Sequence, residues 1–221
     1  MKAFFHIDTW VFDLDNTLYP ASCRLFDQMH VKMGRYVMRR FGVDDAEASR
    51  IRHHLYLKHG TTLRGLMVEH GEAPEAFLEE VHDIDYSVVP HSPELVTAIE
   101  RLPGRKLVFT AGTAEHAARA MMRLGVAHLF DAVYDIVAAD HISKPAREPY
   151  DKFVLEHAVT PQRAAFFEDI ARNLEVPHAM GMATVLVASD DSFDDEAGEV
   201  DHVDHRTEDL PAFLAGLQLG D

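Results

Sequence analysis

Two carboxylate side chains stand two positions apart in the stretch FDLDNTLY, directly after an apolar segment. Asp13 and Asp15 follow the hydrophobic residues 10–12, and alternate residues of a β-strand point to the same side. If residues 9–15 form a strand, the two carboxylates converge at its end, where they repel each other and lose hydration. The pair therefore indicates a site in which a cation offsets the negative charge.

The remainder of the chain predicts the elements that would position this pair. Strands are predicted at 106–110, 132–137, 164–169, 183–188 and near Val203, and helices at 92–102, 114–124, 150–158, 171–180 and 207–217. This alternation predicts an α/β fold with a Rossmann-like, doubly wound parallel sheet. Residues 21–83 instead space their apolar side chains as helices do, which predicts a small all-helical cap inserted after the first strand. The expected division is a core of residues 1–19 and 87–221 and a cap of residues 20–86.

Further polar residues fall at the ends of the predicted strands. Ligands of such sheets bind beyond the C-terminal ends of the strands, and the candidates there are Thr110, Ala111, Gly112, Lys144, Glu168 and Asp169. A gathering of carboxylate oxygens favours a hard dication such as Mg²⁺, which keeps some of its waters and binds substrate phosphate. Lys144, in the loop ISKP, is expected to supply a second positive charge.

Charge and composition exclude several classes of partner. The formal net charge is −16, and charging all 15 histidines would bring it only to −1, so neither nucleic acid nor an anionic membrane is an expected partner. No apolar run approaches the roughly 20 residues of a transmembrane helix. The N-terminal residues do not resemble a signal peptide, and the single cysteine, Cys23, favours the reducing cytoplasm.

Four motifs of the chain resemble, in order and over nearly its whole length, those of the haloacid dehalogenase superfamily. They are DLDNTLY, FTAGT, the lysine of SKP, and FFEDIARNLEVPHAMGM. The stretches LKHGTTLRGLMVEHG, VHDIDY and SKPAREPYDKF are similar to its pyrimidine 5′-nucleotidase-like branch. The resemblance implies a Mg²⁺-dependent phosphomonoesterase that acts on a small-molecule phosphate ester through an aspartyl-phosphate. The expected substrate is a pyrimidine nucleoside 5′-monophosphate.

The resemblance also implies roles for the acidic residues. Asp13 would attack phosphorus, and Asp15 would protonate the leaving oxygen and then deprotonate water. That role predicts a raised pKa for Asp15, with neighbouring negative charge as the cause. Asp13, Asp169 and Asp15, the last through its backbone carbonyl, would hold Mg²⁺. Glu168 and Asn173 would contact these residues and hold them in position.

The phosphoryl oxygens would be held by Thr110, the backbone amide of Ala111 and Lys144, with Gly112 opening the helix that follows. The resembled family usually has asparagine after the motif threonine, whereas this chain has Ala111. The backbone N–H remains able to bind phosphate, but any contact from that side chain is lost. This departure is expected to affect substrate affinity more than the class of reaction.

Substrate recognition is expected from the cap stretch HGTTLRGL. Thr61, Thr62 and Arg64 offer two hydroxyls and a guanidinium, which can meet the carbonyls of a pyrimidine or the hydroxyls of a ribose. Gly60 and Gly65 flank them like hinges. The alternative for Thr61 is that it only caps the next helix.

Other interpretations remain open at this stage. Phosphoglycolate or a sugar phosphate is an alternative substrate, and transfer of the phosphoryl group to a sugar, as in a phosphomutase, is an alternative reaction. A metal-independent 2-haloacid dehalogenase is less favoured, because those enzymes lack the second aspartate. A binding protein on a retained fold is a further alternative, and the chain is either a monomer or a homodimer. The histidine pairs in RHHLYLKH and DHVDHR and the acidic stretch 189–201 are expected to be solvated surface, and Cys23 to be structural.

Overall fold

A computed structural model describes residues 4–188 and 200–219, which contain one sheet of six parallel strands. The strands are β1 (Thr9–Phe12), β2 (Arg105–Phe109), β3 (Ala132–Tyr134), β4 (Ala164–Glu168), β5 (Ala183–Val187) and β6 (His205–Thr207). Their order across the sheet is β3-β2-β1-β4-β5-β6, with all neighbours parallel. The predicted doubly wound α/β fold is confirmed. Residues 189–199 of the predicted acidic loop lie outside the described residues.

Four helices follow β1 and form the predicted helical cap. They are α1 (Leu25–Phe41), α2 (Asp45–His59), α3 (Thr62–His70) and α4 (Pro74–Val81). They enclose a hydrophobic cluster of their own, built from Met29, Tyr36, Leu55, Leu63, Leu66, Phe77 and Val81. Asp44 caps α2 by accepting a hydrogen bond from the Glu47 N–H at 2.9 Å. Gly60 ends that helix with φ of +83°, a conformation that favours glycine.

The core helices lie between the later strands. They are α5 (Pro93–Glu100), α6 (Ala114–Leu124), α7 (Arg147–Glu156), α8 (Glu175–Met180) and α9 (Leu210–Ala215). α7 begins three residues before the predicted start, because Pro149 fits a first helical turn, where its missing N–H costs no hydrogen bond. The predicted helix 171–180 opens instead as a 3₁₀ turn, Ala171–Leu174. Within the described ranges, no helix is both long and apolar enough to cross a membrane.

Strand β1 is shorter than the predicted segment 9–15. Its ladder ends with the Asp13 N–H, which donates to the Phe167 carbonyl at 2.9 Å. The chain then turns, because the Leu14 carbonyl accepts the Leu18 N–H at 3.0 Å and Asn16 adopts φ of +60°. The expectation that both carboxylates share one face of a strand is therefore wrong: Asp13 leaves the strand end and Asp15 belongs to the turn.

The central strands β1, β4 and β5 are buried on both faces. Trp10 and Phe12 belong to one core cluster, and the intervening Val11 belongs to the cluster on the opposite face. The Phe12 ring stacks on Phe167 of the neighbouring strand with centroids 4.6 Å apart. Such strands read as continuous apolar runs, and they place Asp13 and Glu168 side by side.

Candidate active site

Lys144 lies at the centre of a buried cluster at the C-terminal edge of the sheet. Its Nζ donates to Asp13 Oδ1 and to Glu168 Oε2, each at 2.6 Å, and to the Phe109 carbonyl at 3.0 Å. The Lys144 residue is only 6% exposed. The loop ISKP thus reaches the edge, as the sequence predicted. We refer to Asp13, Lys144, Glu168 and Asp169 as the Asp13 cluster.

The Asp13 cluster contains more negative than positive charge. One carboxylate oxygen from each of Asp13, Glu168 and Asp169 can be chosen so that all three lie within 4.8 Å of one another. Burial, followed by the charge of Glu168, raises the pKa of Asp13 to about 8 although Lys144 acts in the opposite direction. The same two causes raise the pKa of Asp169 well above its usual value. One lysine does not balance three carboxylates, and this set of closely placed oxygens fits a hard dication.

Glu168 is fixed by hydrogen bonds at both of its oxygens. Oε2 holds Lys144, and Oε1 accepts the N–H groups of Asp169 at 3.2 Å and Ile170 at 3.3 Å. Asn16 Nδ2 reaches Asp169 Oδ2 at 3.5 Å. The turn that begins at Ala171 has no side-chain cap, so the Asp169 carboxylate does not cap it.

Asp15 lies in a different environment, which we call the Asp15 network. Its Oδ1 accepts hydrogen bonds from the Tyr19 hydroxyl and from His116 Nε2, the latter at 2.7 Å. The Tyr86 hydroxyl lies 2.9 Å from His116 Nδ1, and the His82 ring stacks on His116 with centroids 4.6 Å apart. Two histidines and two tyrosines thus surround one carboxylate.

The prediction that the pKa of Asp15 is raised is wrong. Burial alone would raise the pKa of Asp15, but the charge and hydrogen bond of His116, with the hydrogen bond of Tyr19, outweigh it. The resulting pKa lies below the usual value, so Asp15 is ionised at neutral pH. His116 also contributes to lowering the pKa of His82 to about 4, after burial, which is the largest cause.

His116 was not singled out from the sequence. It occupies a buried stripe of α6 with Ala120 and Leu124, four residues apart as on one helical face. A histidine on the apolar face of a helix that starts at the C-terminal edge of the sheet is the pattern that would have indicated it. Gly112 leaves room for the ring, because a Cβ there would come within 2.8 Å of His116 Cδ2.

The loop after β2 offers donors for an anion. Thr110 is 1% exposed, and its Oγ1 accepts the Gly112 N–H at 2.9 Å. Its hydroxyl hydrogen can still donate. Ala111 is exposed and lines the cavity between the cap and the core. Gly112 shapes the loop, since its own N–H is engaged by Thr110.

A cavity of about 120 Å³ lies between the cap and the core. Its walls include Asp15, Ala111, Gly112, Thr61, Thr62 and His82, with apolar side chains such as Phe26, Met33 and Phe77. Thr61 caps α3 by accepting the Arg64 N–H at 3.1 Å, which is the alternative considered above. Arg64 is half-buried and is not among the residues that line this cavity.

The cap meets the core closely at two further points. A Cβ on Gly60 would lie 2.9 Å from Ser143 Oγ and 3.6 Å from the Lys144 carbonyl, so no larger residue fits there unchanged. The Arg172 guanidinium lies over the Tyr56 ring, 4.4 Å from its centroid. The segment that carries Lys144 and the turn after Asp169 thus both touch the cap.

The remaining candidates lie outside these clusters. Asn173 is 5% exposed, and its Oδ1 has no hydrogen-bond partner among the described residues. Cys23 is half-buried against the core, consistent with a structural residue. His53 and His54 are exposed, as expected, but His202 is half-buried and lies 3.0 Å from the Ala171 carbonyl.

Comparison with known proteins places this fold and site in a family. The solved structures that resemble the chain include an L-2-haloacid dehalogenase of Xanthobacter autotrophicus, with a TM-score of 0.57 and 17% identity over 96% of this chain and all of that one. A haloacid dehalogenase-like hydrolase of Streptococcus pneumoniae aligns with a TM-score of 0.61 and 17% identity over 95% and 97% of the two chains. At these identities the likeness concerns the fold.

The curated proteins that are similar in sequence include the following two. Phosphate metabolism protein 8 of Saccharomyces cerevisiae is 25% identical over 93% of this chain and 69% of its own length. Enolase-phosphatase E1 of Frankia alni is 39% identical over 38% of this chain and 36% of its own length. The family model for haloacid dehalogenase-like hydrolases matches residues 10–187, which span the first strand, the cap and the Asp13 cluster. The chain therefore belongs to the haloacid dehalogenase-like hydrolase family.

Proposed function

We propose that the chain hydrolyses phosphate monoesters through an aspartyl-phosphate on Asp13, with Mg²⁺ as cofactor. The observation that carries this proposal is the Asp13 cluster, in which Lys144 joins Asp13 to Glu168 while three carboxylate oxygens lie within 4.8 Å. The names of the two curated relatives, one linked to phosphate metabolism and one a phosphatase, agree with this chemistry. The core of residues 1–19 and 87–221 would hold the cluster, and the cap of residues 20–86 would cover it.

The proposed cofactor would be held by the side chains of Asp13 and Asp169 and by the backbone carbonyl of Asp15. Glu168 contributes an oxygen to the same group, although Lys144 already occupies its other oxygen. When bound, Mg²⁺ would offset the negative charge of the cluster and of the phosphoryl group. This arrangement would also lower the raised pKa of Asp13, because an opposite charge favours the ionised form.

The proposed first step is attack of an Asp13 oxygen on phosphorus. A carboxylate needs no base to become nucleophilic, and Lys144 holds Asp13 Oδ1 at 2.6 Å. The Thr110 hydroxyl and the Ala111 N–H would donate to phosphoryl oxygens, as Lys144 would on substrate binding. Phosphoryl transfer depends mainly on such positioning and charge stabilisation.

Asp15 would serve both halves of the reaction. Its carboxyl group would give a proton to the leaving oxygen as the bond from that oxygen to phosphorus breaks. The resulting carboxylate would then accept a proton from the water that attacks the aspartyl-phosphate and regenerates Asp13. Because its pKa is lowered in the free enzyme, Asp15 needs the negative charge of a bound phosphate ester to raise its pKa before the first transfer.

The proposed substrate is a pyrimidine nucleoside 5′-monophosphate, such as UMP or CMP. The proposed location of the protein is the cytoplasm. Support comes from the family resemblance and from the apolar walls beside Thr62, which suit a flat base. The cavity of about 120 Å³ is smaller than the roughly 300 Å³ of ordinary ligand pockets. Binding a nucleoside would therefore require the cap to move outward.

A substrate screen tests the proposal. We expect the purified chain to release phosphate from UMP and CMP faster than from AMP, phosphoglycolate or a sugar phosphate, and only with Mg²⁺ present. Faster turnover of phosphoglycolate or a sugar phosphate would change the substrate but keep the chemistry. Chloride release from 2-chloropropionate without metal would instead favour the dehalogenase alternative, and phosphate transfer between two sugars would favour a phosphomutase.

A further inference from the structure

We propose that His116 is a positioning residue that determines which oxygen of Asp15 exchanges protons with substrate and water. This inference rests on the proposed function, since it assumes that Asp15 is the acid and base of a phosphate ester hydrolysis. No motif described above includes His116, and its side chain makes no hydrogen bond to Thr110, Ala111 or the Asp13 cluster. Its contact with Asp15 is what assigns the role.

The two oxygens of Asp15 are not equivalent. Oδ1 accepts hydrogen bonds from both the Tyr19 hydroxyl and His116 Nε2. Among the described residues, no side chain or backbone group donates to Oδ2. Asp15 lines the cavity between cap and core, so Oδ2 is the oxygen left to face a bound ester.

The donor role of His116 Nε2 follows from its partners. Asp15 Oδ1 already accepts from the Tyr19 hydroxyl, and an oxygen that accepts from both groups requires Nε2 to carry the proton of the 2.7 Å contact. The opposite ring nitrogen, Nδ1, lies 2.9 Å from the Tyr86 hydroxyl, which holds the second end of the ring. The ring is enclosed by His82 on one face and by Gly112 close to its Cδ2, and the side chain is fully buried.

This geometry has a consequence for the two proton transfers. The proton that moves to the leaving oxygen must sit on Oδ2, because two donors already occupy Oδ1. After the O–H bond at Oδ2 breaks, the negative charge remaining on Asp15 is stabilised by His116 and Tyr19. In the second half, the proton of the attacking water returns to the same Oδ2, which restores the acid.

Replacing His116 should have a different effect if its ring only fills the core than if the ring positions Asp15. Loss of packing would reduce turnover of every phosphate ester to a similar extent. Loss of the Asp15 orientation would act chiefly on esters whose leaving oxygen needs a proton. UMP has an alkoxide leaving group of that kind, whereas p-nitrophenyl phosphate releases a phenolate that is stable without protonation.

The test compares kcat for these two esters in His116→Phe and His116→Gln. We expect His116→Phe to lower kcat for UMP by about 100-fold, the lower end of what acid–base catalysis contributes, with less than about 5-fold loss for p-nitrophenyl phosphate. KM for both esters should change little. His116→Gln keeps a donor near the position of Nε2 and should recover UMP turnover to within about tenfold of wild type.

Two further variants keep the result interpretable. Tyr86→Phe retains the ring packing and removes the hydroxyl next to His116 Nδ1. It should lower kcat for UMP more than kcat for p-nitrophenyl phosphate, with a smaller difference than in His116→Phe. This variant gives the answer if His116→Phe does not fold. His128→Gln makes the same substitution at an exposed histidine and should match wild type. An equal loss on both esters in the His116 variants, or unchanged UMP turnover, would overturn the inference while the phosphatase proposal stood. Absence of any phosphatase activity in the wild type with Mg²⁺ would remove both.

Discussion

Asp13 and Asp15 are neighbours in sequence but lie in opposite electrostatic environments. Asp13 is packed with Glu168 and Asp169 around a single lysine, and its pKa is raised to about 8, chiefly by burial and then by the charge of Glu168. Asp15 is surrounded by histidines and tyrosines, and its pKa is lowered despite burial. The chain turns immediately after Asp15, at Asn16, where φ is +60°.

The difference shows that residue type alone does not assign the chemistry of a carboxylate. The Asp13 cluster has three carboxylates and one lysine and so suits an added cation, which can in turn hold a phosphoryl group. The Asp15 network supplies hydrogen-bond donors and so suits proton exchange at one defined oxygen. Two like groups acquire separate tasks when their surroundings shift their pKa values in opposite directions.

The strongest test of this division is Asp13→Asn, which removes the carboxylate proposed as the nucleophile and keeps the shape. We expect phosphatase turnover to fall by about 10⁴-fold or more, as when other covalent nucleophiles are removed, while circular dichroism stays that of the wild type. Asp83→Asn, an exposed aspartate of the cap, provides the matched control. Turnover near wild type in Asp13→Asn would show that the two carboxylates do not divide the roles in this way.

Metal removal should affect the Asp13 cluster and spare the Asp15 network. We expect EDTA to abolish turnover and added Mg²⁺ to restore it, because one lysine does not balance three buried carboxylates. Asp169→Asn should raise the half-saturating Mg²⁺ concentration by about 10-fold or more. His116→Gln should leave that concentration unchanged. Full activity after exhaustive chelation would speak for the metal-independent dehalogenase chemistry.

Stability as a function of pH should separate the two aspartates in metal-free protein. Asp13 binds its proton more tightly when folded than when unfolded, where its pKa is about 4. The free energy of unfolding should therefore fall as pH rises from about 4 to about 8, by at most about 1.4 kcal/mol per pH unit for this one group. Asp15 has a lowered pKa when folded, so its contribution is present above about pH 4 and is lost as pH falls further.

Urea unfolding at several pH values in EDTA measures these slopes. Asp13→Asn should make the decline between about pH 5 and 8 shallower, with the remainder due to Asp169, whose pKa is also raised, and Asp15→Asn should leave the decline in place. Mg²⁺ should restore stability most at the upper end, where the carboxylates are ionised. If both variants kept the wild-type slope, the raised pKa would not belong to Asp13.

The smallest expected effect is at Arg64, which lies outside both environments. Arg64→Ala should raise KM for UMP by about 2- to 5-fold, as expected for the loss of one hydrogen bond to the substrate, and leave p-nitrophenyl phosphate turnover nearly unchanged. Thr62→Val, within the cavity, should raise KM for UMP more than Arg64→Ala does. A comparable loss on both esters in Arg64→Ala would indicate that the residue supports the cap.

The sequence predicted the parts of this molecule that depend on local pattern. Apolar runs and helical spacing identified the strands, the cap and the approach of Lys144, because parallel strands bring their C-terminal ends to one edge. The strand predicted over 9–15 was too long, since its apolar pattern does not show the turn that begins after Asp13. The hydrogen bonds around Asp15 were not predicted, because His116 is 101 residues away in the sequence. The two residues meet only through the packing of α6 and of the segment that leaves the cap.

Gly60 has a consequence for rebuilding this enzyme from parts. A substituent at Cα would meet Ser143 Oγ at 2.9 Å, next to the lysine that holds Asp13, and the Tyr56 ring covers Arg172. A cap transplanted from a relative would need a glycine and a planar ring at these two places, whatever specificity it brought. Without the glycine, the foreign cap would displace the loop that carries Ser143 and Lys144. A chimera made to alter substrate preference would then lose turnover before any change in preference could be measured.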